Sequence, residues 1–183
     1  MTDQLNRKYE FVEDDTIQFF DKTLKRIRAT RDSGNVKKGQ LGDYIEKEEN
    51  LSHEGNCWVG DNACVFGNAT AWKGCKIYEN AIVFGNAEVC GIARVYGKSR
   101  VYEEAKVCEN AHVYGNSRAY GNSLLFENAK IYGEAKVYEN AWVYGEAKVH
   151  GEAEVYGDTK VCVAAIISQN ARLCGDVTVT DSY

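Results

Sequence analysis

From Cys57 to Val179 an aliphatic side chain recurs at every sixth position without an insertion, beginning Val59, Val65, Ala71, Ile77, Val83 and ending Ile167, Leu173, Val179. Two positions before each stands a residue that is nearly always small, as in Ala63, Ala69, Cys75, Ala81, Ser99 and Ala141. Residues two apart on an extended chain point to the same side, so each pair predicts a short strand with one buried face. The Gly-Asn, Glu-Asn or Gly-Glu that follows predicts a turn. A period of six matches neither 3.6 nor 3.5, which excludes a helix or a coiled coil.

Twenty-one such hexads fill the stretch. Three strands and three corners close a triangular coil, so the sequence predicts an all-β parallel β-helix of about seven coils of 18 residues. At the spacing of neighbouring strands, about 4.8 Å, the rod is roughly 30–35 Å long. Residues 57–183 form this body, and residues 1–56, which carry no hexad until the end, form a small and mainly β N-terminal cap. A β-helix exposes unpaired strand groups and an apolar rung at its end, and covering them is the expected task of the cap. Within it Lys8–Val12 reads as a strand. Thr16–Thr30 stays open on periodicity, since Ile17, Phe20, Leu24 and Ile27 fit a helix face while Leu24–Ala29 also fits an extended chain.

This run of hexads resembles the hexapeptide-repeat, left-handed parallel β-helix proteins, the trimeric acyltransferase-like superfamily, and within it the N-terminal segment and repeats such as Val95-Tyr96-Gly97 and Ala111-His112-Val113-Tyr114-Gly115-Asn116 resemble the YdcK-like members. Two further motifs, Val36–Glu46 and Glu49–Val59, resemble the YdcK-like members. The left hand follows from this resemblance alone, because the general rule for parallel crossovers favours the right. The resemblance also implies strands for Thr16–Thr30 and association through helix faces into a closed oligomer, a dimer or trimer.

Residues 18 apart are ladder neighbours, so the outward columns can be read as well. Phe66, Phe84, Tyr102, Tyr120, Tyr138 and Tyr156 stack on one face and Tyr78, Tyr96, Tyr114 and Tyr132 on the next, an arrangement that supports register. On the third face Leu124, Phe126, Trp142 and Tyr144 occupy consecutive coils as a candidate apolar interface.

A net charge of -5 argues against nucleic acid as a partner, and the basic run Lys22, Lys25, Arg26, Arg28, Arg31, Lys37, Lys38 reads as a solvated strand face. No run of 18 apolar residues predicts a membrane span, and the polar start predicts no secretory signal. The seven cysteines contain no Cys-x-x-Cys pair and fall in regular columns, Cys57 over Cys75 inside and Cys90 over Cys108 outside. They read as reduced thiols in a cytoplasmic protein rather than as metal ligands, since zinc needs four converging ligands.

Acyltransferases of the resembled class use a histidine base at a subunit boundary and a loop protruding from the helix. This chain has three histidines and no insertion among its hexads. His112 and His150 are the candidate functional residues, on one face but two coils apart, so they form no tight pair. No catalytic residue, metal site or cofactor site is therefore assigned. The leading expectation is a non-enzymatic structural or protein-interaction module, with an acyltransferase-like enzyme as the alternative. A rod encoded by a virus or mobile element that binds and blocks a host protein is a special case of the first.

Overall fold

Each hexad folds as two residues of strand and a corner, because a small residue and an aliphatic one must both turn inward before the chain can bend again. A computed structural model describes residues 7–181. Three longer strands come first, β1 (Tyr9–Phe19), β2 (Lys22–Ala29) and β3 (Leu41–Ile45), followed by a short 3₁₀ turn at Glu48–Asn50. Two-residue strands then run from β4 (Trp58–Val59), β5 (Cys64–Val65) and β6 (Thr70–Ala71) through to β24 (Thr178–Val179).

These strands form three parallel sheets, in which every third strand pairs with the next. The first and third faces are seven-stranded sheets that contain β4 and β6, and the second face, which contains β5, is extended to ten strands by β3, β2 and β1. Register is exact at 18 residues, with Val95 opposite Val113 and Val113 opposite Ile131. From Val59 to Ile167 the aliphatic column is sealed, Val59, Val95, Val113, Val137 and Val155 all having no exposed surface, and only Leu173 near the far end is partly exposed.

The hexads are preceded by an incomplete turn that they do not announce. Tyr44 and Ile45 pair in parallel with Cys64 and Val65, and Leu51 bridges Ala71. Residues 41–51 thus lay one partial coil above the first hexad coil without obeying the six-residue period. Over it lies the β1–β2 hairpin, so Thr16–Thr30 is extended, as the resemblance implied and periodicity could not decide. Its register shifts between Phe11 and Thr16, where Asp14 takes φ 64. Two apolar groups hold the hairpin down. Tyr9, Ile27, Ala29, Val36 and Ile45 join the rod's core at its end, whereas Leu24 packs with Cys64 and Phe66 against the outside of the second face.

The basic run lies on this cap, and four of its seven residues are matched by carboxylates. Lys22 pairs with Glu46, Arg26 with Asp15 and Asp43, Arg28 with Glu10, and Lys37 with Asp32. Such pairs on a surface add little stability, but they neutralise most of the run and weaken its attraction for a polyanion.

The corners are made in two ways. Gly91 takes φ +71, and a Cβ there would lie 2.6 Å from the amide nitrogen of Glu109, so the next coil approaches too closely for a side chain. Glu103, Glu109 and Glu139 occupy the same kind of corner with φ between 56 and 58, a region that costs a non-glycine residue energy. Their carboxylates accept the amides of Gly121, Glu127 and Gly157 one coil further on, each at 2.9 Å. That charge-assisted bond offsets the strain. The asparagines also bridge coils, Asn122 Nδ2 donating to Asn140 Oδ1 at 3.1 Å and Asn140 Nδ2 to Asp158 at 3.0 Å.

Candidate interaction face and the histidines

On the third face the outward side chains change character along the rod. Near the cap the face is polar: Trp72 Nε1 donates to Glu88 at 3.0 Å, and Lys106 pairs with the same carboxylate at 3.2 Å. Two rungs further the outward side chains become aliphatic and aromatic. Leu124 lies in register with Trp142, and the residues that follow their inward partners are Phe126 and Tyr144. Phe126 stacks on Tyr144 with ring centroids 4.9 Å apart and meets Trp142 edge-on at 6.3 Å. The structure therefore brings together all four residues of the candidate interface.

Their exposure is uneven. Trp142 remains 41% exposed, whereas Leu124, Phe126 and Tyr144 are half-buried by one another. Lys160 covers one end of the patch, with its Nζ 5.2 Å from the Trp142 ring, a cation–π contact. At the corner after Cys162, Val163 is 61% exposed at φ 61, an apolar and β-branched residue where most other corners carry glycine or glutamate. Apolar surface thus continues around the edge of the face.

The histidines fall in three separate places. His53 belongs to the cap: its ring stacks on Tyr9 at 4.3 Å, Nδ1 accepts the Lys8 amide at 3.1 Å, and Nε2 meets Glu48 at 2.8 Å. Because Nδ1 accepts, Nε2 carries the proton that is donated to the carboxylate. His112 stands on the first face between Arg94 and Lys130, its register neighbours. Burial first, and then these two cations, push its pKa below the usual histidine value. It is neutral at pH 7 and able to accept a proton. His150 ends the aromatic ladder by stacking on Tyr132 at 4.7 Å. His112 and His150 are in different columns two rungs apart, so they do not share a site.

A shallow open groove of about 470 Å³ runs beside His112, with Lys130, Lys148 and Glu146 among its walls. Among the described residues no group of three or more His, Cys, Asp and Glu is placed to hold a metal ion, and no helix is long and apolar enough to cross a membrane.

No family model matches the chain. Over 64 residues it is 39% identical to YdcK of Escherichia coli (strain K12), described as an uncharacterized acetyltransferase. The chain's own six-residue repeat and its three parallel sheets stacked every 18 residues make it a parallel β-helix, similar over part of its length to YdcK. The match covers 34% of the chain and 19% of YdcK, so the chain spans well under two thirds of that relative's length.

Sequence reasoning missed one cluster. Lys8 is wholly buried, and its Nζ donates to the Cys57 carbonyl at 2.8 Å and to Cys57 Sγ at 3.1 Å. Hydrogen bonding with Cys75, then the Lys8 charge, lower the Cys57 pKa to about 6 against the cost of burial. The column register gave Cys57 over Cys75, but nothing in the sequence places Lys8 beside them.

Proposed function

We propose that the chain is a non-enzymatic interaction module, a rigid rod that associates with copies of itself as a dimer or trimer through the third face. The observation that carries this reading is Trp142, an indole left 41% exposed on a row of apolar side chains that are otherwise packed. Aromatic anchors of this kind supply most of the energy at protein interfaces. The faces from β4 to β24 are unbroken by any inserted loop, which favours flat contact between rods over an enclosed reaction site. The seven cysteines, all free thiols, support a reducing compartment such as the cytoplasm.

Sedimentation of the purified chain tests the reading. Trp142→Glu with Phe126→Lys should reduce the mass to that of one chain while the far-ultraviolet circular dichroism stays unchanged, because both side chains point outward. An oligomer untouched by both substitutions rules out this face. A parent chain that is monomeric alone, and binds one stoichiometric partner through Trp142, transfers the face to a different protein, and a host protein blocked by a rod of viral or mobile-element origin is one case of this.

A second reading, an acetyltransferase, is favoured by the similarity to YdcK and by a neutral His112 in a groove with Lys130 and Lys148. Those lysines suit an anionic acyl carrier, and His112 suits a general base. Acetyl-coenzyme A that binds stoichiometrically, and acetylates an amine only while His112 is present, would establish it. Absence of binding would remove it.

A further inference from the structure

We propose that Cys90 and Cys108 are a peroxide-sensitive dithiol that closes into a disulfide between adjacent coils of the third face. The two follow Val89 and Val107, which are paired in register on the parallel strands β9 (Glu88–Val89) and β12 (Lys106–Val107). In-register neighbours on such strands stand about 4.8 Å apart, inside the roughly 4.4–6.8 Å between α-carbons that a disulfide spans. Both side chains lie on the outer side of the sheet, and their sulfurs are 2.7 Å apart. Both are free thiols, Cys90 6% exposed and Cys108 half-buried, so solvent reaches the pair mainly over Cys108.

The pair has the division of labour that such chemistry needs. Sharing a hydrogen bond with Cys108 lowers the pKa of Cys90, and the same bond together with burial raises that of Cys108. Cys90 therefore ionises first, and Cys108 keeps its proton as the resolving thiol. The Cys90 thiolate attacks one oxygen of hydrogen peroxide, the O–O bond breaks and hydroxide leaves, giving the sulfenic acid. The sulfur of Cys108 then attacks that of Cys90. The S–S bond forms, the S–O bond breaks, and the departing hydroxide takes the Cys108 proton as water. Two thiols have lost two electrons and the peroxide has gained them.

The other cysteines are placed differently. Cys57 and Cys75 form the second stacked pair but have no exposed surface, lying inside the rod beneath Lys8. Burial raises the Cys64 pKa to about 11, which leaves little thiolate there. Neither Cys162 nor Cys174 has a cysteine one coil away among the described residues.

Treatment of the full chain with hydrogen peroxide, followed by alkylation under denaturing conditions and peptide mapping, tests the proposal. The expected result is that two of the seven thiols resist alkylation, that one cross-linked peptide joins Cys90 to Cys108, and that dithiothreitol restores both. In Cys108→Ser the link is lost and dimedone labels Cys90. The substitution is on an outward column, and circular dichroism confirms that the variant is folded. Cys108 lies one coil from Phe126 in the same outward column, so the treatment is repeated on the Trp142→Glu, Phe126→Lys chain, in which the association proposed above cannot cover the pair. Seven alkylated thiols after peroxide in that chain as well as in the parent, or a cross-link at Cys57 and Cys75 in place of Cys90 and Cys108, overturns the dithiol and leaves the association untouched.

Discussion

Lys8 Nζ lies 3.1 Å from Cys57 Sγ, and neither residue has any exposed surface. A buried ammonium needs a counter-charge, and the thiolate at the end of the rod is the one within hydrogen-bond reach. This contact joins the first residues of the cap to the first hexad, and Tyr9 reinforces it by donating its hydroxyl to the carbonyls of Glu48 and Leu51.

The pair predicts a pH-dependent stability with a definite sign. The Cys57 pKa falls from 9.0 to about 6 on folding, so its contribution is fully present above the unfolded value and is lost as the pH falls through about 6. Between those limits the parent chain should gain up to about 1.4 kcal/mol per pH unit over Cys57→Ala. At neutral pH Cys57→Ala should itself cost about 3 kcal/mol, because it leaves the buried ammonium without a counter-charge and with only the backbone carbonyl of residue 57 to accept its proton, and adding Lys8→Met should recover part of that. Urea melts from pH 6 to 9 measure both effects. Parallel pH profiles for the parent and Cys57→Ala would show that Cys57 is a neutral thiol throughout.

The inward and outward columns differ in what a substitution costs. Val113→Asp buries a carboxylate between coils and should lower stability by about 3–5 kcal/mol. Tyr114→Ala removes two outward stacks, on Tyr96 at 4.8 Å and on Tyr132 at 5.0 Å, and should cost about 1–2 kcal/mol. The reverse order in urea melts would mean that the columns are assigned to the wrong sides.

The rod was legible because its physics is periodic. One aliphatic residue in six fixed the strands, the register of 18 and the stacking of Phe126 on Tyr144, since every coil repeats the same local choice. The cap was not, because each of its contacts is made once. Residues 41–51 form a coil without a hexad, and the Thr16–Thr30 pattern suits a helix face as well as the hairpin that tertiary packing selects. Lys8 stands in a polar stretch and meets Cys57 across 49 positions, a separation that no local pattern reveals. The corner residues were half legible: Asn and Glu announced turns, but their bonds to the coil beyond depend on the stacking and appear only in three dimensions.

The inward small column ends with a test at the scale of one hydroxyl. Ser117 and Ser123 occupy successive positions in it, and both are wholly buried. Ser117 Oγ donates to the carbonyl of Tyr114 at 2.8 Å and has that of Ile131 at 3.2 Å, and Ser99 repeats the arrangement one coil earlier with Tyr96 and Val113. Ser123 Oγ has no hydrogen-bond partner among the described residues. A buried hydroxyl without a partner carries its desolvation cost uncompensated, about 1–3 kcal/mol, whereas a bonded one returns roughly 1 kcal/mol net. Alanine is the commonest residue of the column, so the backbone at both sites accepts it without strain. Ser123→Ala should therefore raise the urea midpoint, and Ser117→Ala should lower it, although the chemical change is the same and Gly-Asn precedes both. Two shifts of equal sign would mean that Ser123 finds a partner after all, and the hydroxyls could then no longer be ranked by their bonds.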